Sequence, residues 1–186
     1  STPIQLSDEN LIAVEMHSDV PAIGYWSSSS ELLNKIWKAT NSSYLANLFG
    51  YPTDCPQREK NGWTGDAHIA IETGLYNFDG ISIYEKWMND FCDEQKDNGV
   101  LPCIIPTSVW GYDWANGVDW TSAVTIIPWE IYRFYGDTTL LRRMYGPIKK
   151  YVSYIESIST NHLTDWGLGD WVPVRSKSNI TLTSSI

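Results

Sequence analysis

Asp54-Cys55-Pro56-Gln57-Arg58-Glu59-Lys60-Asn61-Gly62-Trp63-Thr64-Gly65-Asp66 runs directly into Ala67-His68-Ile69-Ala70-Ile71-Glu72-Thr73-Gly74-Leu75-Tyr76-Asn77-Phe78 and then into Asp79-Gly80. The first segment is polar and rich in turn-forming residues. The second places Ala67, Ala70, Ile71, Gly74, Leu75 and Phe78 at i, i+3, i+4, i+7 spacing, which predicts an amphipathic helix over about 65–78. The last is a turn too short for anything but a reversal. A long connection, a helix and a tight turn in succession decide the fold, because the same order recurs along the chain.

Four more helices are predicted outward from this one. They lie at about 31–49 (Leu33, Ile36, Trp37, Tyr44 and Leu48 on one side), about 82–97 (Ile83, Trp87, Phe91), about 121–135 (Val124, Ile127, Ile131, Tyr135) and about 138–158 (Leu140, Leu141, Met144, Ile148, Val152, Ile155). Ser30 is the expected cap of the first and Asp137 of the last, since their side-chain oxygens accept from free helix N–H groups. Gly99 follows the third. Pro128 is expected to kink its helix or to mark a first turn, and Pro147 to bend or break the last one. Val100 to Ile105 is short, strand-like and interrupted by Pro102. The fold class is therefore all-α.

The turns Asp79-Gly80 and Gly136-Asp137 are short, so the helices they join lie antiparallel. The remaining connections, about 50–63, about 98–119 and onward from about 159, are long and must emerge together at the other end. An up-down array with one elaborated end is a toroid of helical hairpins. Residues 1–27 show no helical period and read as an extended tail or linker leaving an upstream β domain, with the hairpins in residues 28–186.

The net charge of −9 argues against a nucleic-acid partner, which calls for a basic face. No apolar run is long enough to span a bilayer. Cys55, Cys92 and Cys103 match no zinc spacing, His17, His68 and His162 are scattered, and no cofactor or metal site is expected. The thiols read as ordinary free cysteines, and His68 as a hydrogen-bonded core histidine. The chain carries ten Trp and eleven Tyr. Trp63, Trp110, Trp114, Trp120, Trp166 and Trp171 fall in or beside the long connections, as do Asp54, Glu59, Asp66, Asp113, Asp119, Asp165 and Asp170. Loops ordinarily avoid exposed indoles. Indoles and carboxylates on one rim suit a sugar, whose C–H faces stack on rings while its hydroxyls donate to carboxylates.

Glycoside cleavage needs one carboxylic acid to protonate the departing oxygen and a second carboxylate on the opposite side. Asp54, Glu59 and Asp66 are close enough in sequence for mutual repulsion to keep one protonated, with Arg58 holding another ionised. The same residues also suit a salt-bridged loop, with Asp66 favoured in a first helical turn. Asp119-Trp120 and Asp170-Trp171 repeat one dipeptide at the ends of the other long connections, each pairing an acceptor with a ring, or a cap with a core aromatic. Trp110-Gly111-Tyr112-Asp113-Trp114 lines outer sugar sites or packs over the barrel mouth.

The segment Asp54-Cys55-Pro56-Gln57-Arg58-Glu59, followed by Gly62-Trp63-Thr64-Gly65-Asp66, resembles the hallmark of the bacterial α-L-rhamnosidases, inverting glycoside hydrolases of family 78. The likeness takes in Leu33-Asn34-Lys35-Ile36-Trp37 and Gly169-Asp170-Trp171 and reaches the C-terminus. It implies an (α/α)6 barrel of which this chain holds about the first half. It implies Glu59 as general acid, and Asp54, Arg58 and Asp66 as holders of rhamnose hydroxyls. Trp63, Trp120 and Trp171 match the aromatic wall around the 6-deoxy sugar, with Asp119 and Asp170 beside it. The expected partners are rhamnose-containing glycosides or polysaccharides. The family's general base, a Glu from the later half of the barrel, has no counterpart here, so the remainder of the barrel is expected downstream. The alternatives are a rhamnoside-binding piece without catalysis and another (α/α)6-barrel glycosidase.

Overall fold

The computed structural model describes Ser7, residues 11–114 and 116–169, Val174, and residues 182–183. Its helices are α1 (Glu31–Ala46), α2 (Thr64–Asn77), α3 (Ile81–Glu94), α4 (Val118–Thr121), α5 (Ala123–Tyr135) and α6 (Thr139–Ile158). The strands are β1 (Leu163–Thr164) and β2 (Leu182–Thr183), antiparallel with Leu163 opposite Thr183. This minimal ribbon was not expected from the sequence. The all-α reading is otherwise correct.

The helix ends follow from local chemistry. Ser30 caps α1 by accepting from the Leu33 N–H at 3.4 Å. Asp137 Oδ1 accepts from the Thr139 N–H at 2.8 Å and so serves the start of α6. Two expectations need correction. The helix predicted over 121–135 is divided at Ser122, which separates α4 from α5. The Ser122 carbonyl takes the Ile126 N–H at 3.1 Å and the Thr125 hydroxyl at 2.7 Å, so α5 starts afresh there. Pro128 then lies inside α5, buried, rather than at a first turn. Pro147 does not break α6, and its carbonyl accepts from Gln95 Nε2 at 2.9 Å.

The core forms between α2, α3, α5 and α6. Trp87, Tyr84 and Phe91 of α3 meet Ile127 and Ile131 of α5 and Leu140 and Met144 of α6, all fully buried. Burying a large side chain completely stabilises by roughly 1.5–3 kcal/mol relative to exposure. Helix α1 differs from expectation. It contributes no buried residue, and Leu33 and Ile36 are exposed. It packs through Tyr44, whose ring stacks on Phe78 at 5.6 Å in a small cluster with Leu45 and the buried Leu48, and through Trp37 Nε1, which donates to Asn77 Oδ1 at 3.0 Å.

The long connections do converge. Gly62 accepts from the Ile105 N–H at 2.9 Å, and Thr64 N donates to the Cys103 carbonyl at 2.9 Å. Gly117 and Gly167 pass so closely that a Cβ on Gly117 would meet the Gly167 Cα at 2.5 Å. At the opposite end the short turns meet, where the Tyr135 hydroxyl donates to Asp79 Oδ1 at 2.9 Å. Three loops are therefore held together at one rim of a helical array.

Candidate functional site

Trp63 closes the polar segment and stands immediately before α2. Its Nε1–H donates to Glu59 Oε2 at 2.7 Å, which fixes the direction of an otherwise exposed carboxylate. The loop is turned back on itself by Asp54. The Asp54 N–H donates to the Asn61 carbonyl at 3.1 Å, and the Asn61 N–H donates to Asp54 Oδ1 at 2.9 Å. Cys55 Sγ accepts from the Glu59 N–H at 3.2 Å. The acidic cluster is thus built by the backbone of its own turn.

Beside it lies a cavity of about 650 Å³, within the range of sites that take small molecules. Asp54, Asp66, Asp119 and Trp120 all line it. Asp66 opens onto the cavity, yet the surrounding protein desolvates its carboxyl and pushes its pKa up. The charges of Asp54 and Glu59 add to that rise, while its own backbone hydrogen bond and His68 oppose it. Asp119 is positioned through its backbone, whose carbonyl is bonded to His68 Nε2 at 2.9 Å. His68 is hydrogen-bonded as the sequence implied, but it is half-buried beside Asp119 rather than in the core. Trp120 lies flat on the start of α2: a Cβ at Gly65 would meet its ring atoms at 2.9 Å. Its indole N–H is buried without a protein acceptor among the described residues.

The indoles continue beyond the cavity. Trp63 contacts Trp120 edge-on with centroids 6.2 Å apart, and Trp114 in a tilted arrangement at 6.0 Å. Trp110 then stacks on Trp114 at 5.2 Å. Trp166 departs from the rim reading, since it packs into the core against Tyr154 at 5.5 Å.

The candidates therefore divide. Asp54, Asp66, Asp119 and Trp120 share one cavity, whereas Glu59 and Trp63 do not line it and form a bonded pair linked to it through the edge contact of Trp63 with Trp120. Arg58 is exposed, does not line the cavity, and makes no ion pair among the described residues. Asp170 and Trp171 lie outside the described residues. Sequence reasoning missed the wall supplied by α1, where Thr40, Ser43, Tyr44 and Asn47 face the cavity. Their i, i+3, i+4, i+7 spacing is a polar stripe at helical period, a signal hidden by attention to the apolar residues of the same helix. Cys55, Cys92 and Cys103 are free thiols. Burial pushes the Cys103 thiol up to about 12 and leaves it inert.

Residues 21–186 match the family described as bacterial alpha-L-rhamnosidase 6 hairpin glycosidase domain. An alpha-L-rhamnosidase of Alteromonas sp. (strain LOR) is 33% identical over 164 residues, covering 87% of this chain and 18% of the relative. One from Formosa agariphila is 34% identical over 161 residues, covering 86% and 17%. Among solved structures, the alpha-L-rhamnosidase from Dictyoglumus thermophilum superimposes with a TM-score of 0.80 at 37% identity, over 88% of this chain and 19% of that one. The Streptomyces avermitilis alpha-L-rhamnosidase complexed with L-rhamnose gives a TM-score of 0.78 at 27% identity, over 88% and 16%. The chain thus spans less than a fifth of the length of these relatives. The helical array is the corresponding piece of a six-hairpin (α/α) toroid.

Proposed function

Because the chain belongs to the bacterial α-L-rhamnosidase six-hairpin glycosidase family, we propose that the complete protein hydrolyses terminal, non-reducing α-linked L-rhamnose with inversion, and that Glu59 is the general acid. The observation that carries the reading is the bond from Trp63 to Glu59 at 2.7 Å beside a cavity walled by Asp54, Asp66 and Trp120. The indole holds one carboxyl oxygen and leaves Oε1 to deliver the proton to the departing oxygen. Asp54 and Asp66 accept hydroxyl hydrogens of the sugar. The apolar wall of Trp120 and Ile69 receives the methyl group of the 6-deoxy ring. Asp119 and Trp120 extend the same wall, and Asp170 and Trp171 are assigned to it from the family likeness alone. Arg58 is assigned a hydroxyl contact on the same ground, reached by movement of its exposed side chain.

Inversion requires a second carboxylate that activates water from the far side, with the two carboxyls roughly 6.5–9.5 Å apart. We assign that base to the part of the barrel beyond these residues, which would be the complement of an N-terminal half-barrel in residues 28–186. Residues 1–27 are then the link from a preceding domain.

The test is Glu59→Gln in the complete protein. Turnover of rhamnosides with poor leaving groups should fall by about 10²–10⁴-fold, and by much less with an activated aryl leaving group, while the melting temperature stays close to wild type. Equal turnover by the variant on a disaccharide substrate removes Glu59 from the role.

A further inference from the structure

We propose that Trp114 and Trp110 form a stacking platform for the leaving group, the ring of the glycoside attached to the rhamnose. The proposal rests on the rhamnosidase reading and names the part of the substrate that the cavity does not hold. The proton donor must lie at the scissile oxygen, so the leaving group begins where Glu59 is. Glu59 is bonded to Trp63, and Trp63 contacts two further indoles. One is Trp120, which lines the cavity; the other is Trp114, which does not. A sugar in the cavity therefore places its aglycone toward Trp114 and, beyond it, Trp110.

The platform is exposed yet anchored. Trp114 is 57% exposed and Trp110 41%, and the two rings stack on one another with centroids 5.2 Å apart. Free indoles on a floppy loop would instead collapse onto the surface. Here the loop is clipped by Glu94 at the end of α3, which accepts from the Thr107 N–H at 3.1 Å and from the Tyr112 hydroxyl at 3.1 Å. Lys96 Nζ lies 3.8 Å over the Tyr112 ring, and Asn116 Nδ2 donates to the Tyr112 carbonyl at 2.7 Å. Rigid aromatic faces bind with little ordering cost. The ligand they fit is a flat ring with an apolar face. That chemistry comes from two sources, the C–H face of a pyranose or an aromatic aglycone.

The experiment compares kcat/KM of the complete protein on methyl α-L-rhamnoside, 4-nitrophenyl α-L-rhamnoside and an α-L-rhamnosyl-glucose disaccharide. In Trp114→Ala the ratio of a ring-bearing substrate to the methyl glycoside should drop about three- to tenfold, with the change carried by KM. Trp110→Ala should show a smaller drop in the same direction. Trp114→Phe should restore most of the ratio, which a merely structural role for the indole would not produce. A drop confined to the disaccharide identifies a sugar as the occupant, and one confined to the nitrophenyl substrate identifies an aromatic ring. Equal losses on all three substrates, or none, overturn the platform. If the wild type hydrolyses none of them, the rhamnosidase reading is what has failed. The platform is then judged by indole Nε1–H resonances during titration with glucose and 4-nitrophenol: shifts at Trp110 and Trp114 support it, and unmoved signals overturn it.

Discussion

Asp66 carries the clearest electrostatic tension of any residue in the cavity. Its carboxyl is pushed up by desolvation first and by Asp54 and Glu59 next. An acid whose pKa is higher in the folded than in the unfolded state binds its proton more tightly when folded. Stability attributable to it is therefore full in acid and declines as pH rises from the ordinary aspartate range through the raised value. Asp66→Asn removes that penalty. The variant should melt at a higher temperature than wild type at neutral pH, the gain should vanish below the ordinary aspartate range, and rhamnoside binding should weaken. Calorimetric scans across pH check this, and a variant less stable than wild type at neutral pH would refute it. The residue types at this site were readable in the sequence because the polar segment is contiguous. The division of labour within it was not. Which carboxylate meets the cavity and which meets an indole depends on the Asp54–Asn61 turn, a feature of backbone hydrogen bonding.

Between elements, the decisive support is α3, which contributes nothing to the cavity directly. Trp87 is fully buried and its Nε1–H donates to the Ile105 carbonyl at 2.9 Å. The same residue's N–H donates to Gly62, next to Trp63. Helix α3 thus holds the segment against which α2 begins. Trp87→Phe keeps an apolar ring but leaves that carbonyl unpaired, which costs about 1–3 kcal/mol beyond the loss of volume. Urea unfolding should show a lower midpoint at unchanged slope. The helices were legible in the sequence wherever apolar residues repeat at helical period, as in α2 and α6. They were misread at Ser122, which separates α4 from α5 although the apolar spacing runs on through it and Ser122 itself keeps a right-handed helical backbone. Helix α1 was misread in a different way. Of its expected apolar side, Tyr44 and Leu48 pack against Phe78, but Leu33 and Ile36 are exposed.

For the molecule as a whole, large apolar side chains are exposed along the N-terminal segment, in loops and on several helices among the described residues. Ile69 is 78% and Tyr76 63% exposed on α2, and Trp129 is 51% exposed on α5. Exposed apolar side chains of this size favour association when they adjoin one another. The 186-residue chain on its own should associate as concentration rises and bind a hydrophobic dye, and paired Ile69→Lys and Trp129→Lys substitutions should raise its monomeric fraction. Sedimentation velocity reads both. A chain that stays monomeric and dye-negative at high concentration contradicts the half-barrel reading. The toroid was inferred from alternating connection lengths, a topological property of the sequence that needs no side-chain detail. The order of residues along the rim, from Trp120 through Trp63 to Trp110, required coordinates because it joins loops distant in sequence.

Glu94 holds Thr107 and Tyr112, the two shoulders of a short tip that includes Val109, Trp110 and Gly111. Everything between those shoulders, Trp110 included but Trp114 excluded, is a cassette. Its contents can be exchanged, by evolution or by grafting, without disturbing the turn that aims Glu59 or the helix that bears Asp66. A scaffold clipped in this way can acquire new leaving-group preferences while its proton donor stays where it is.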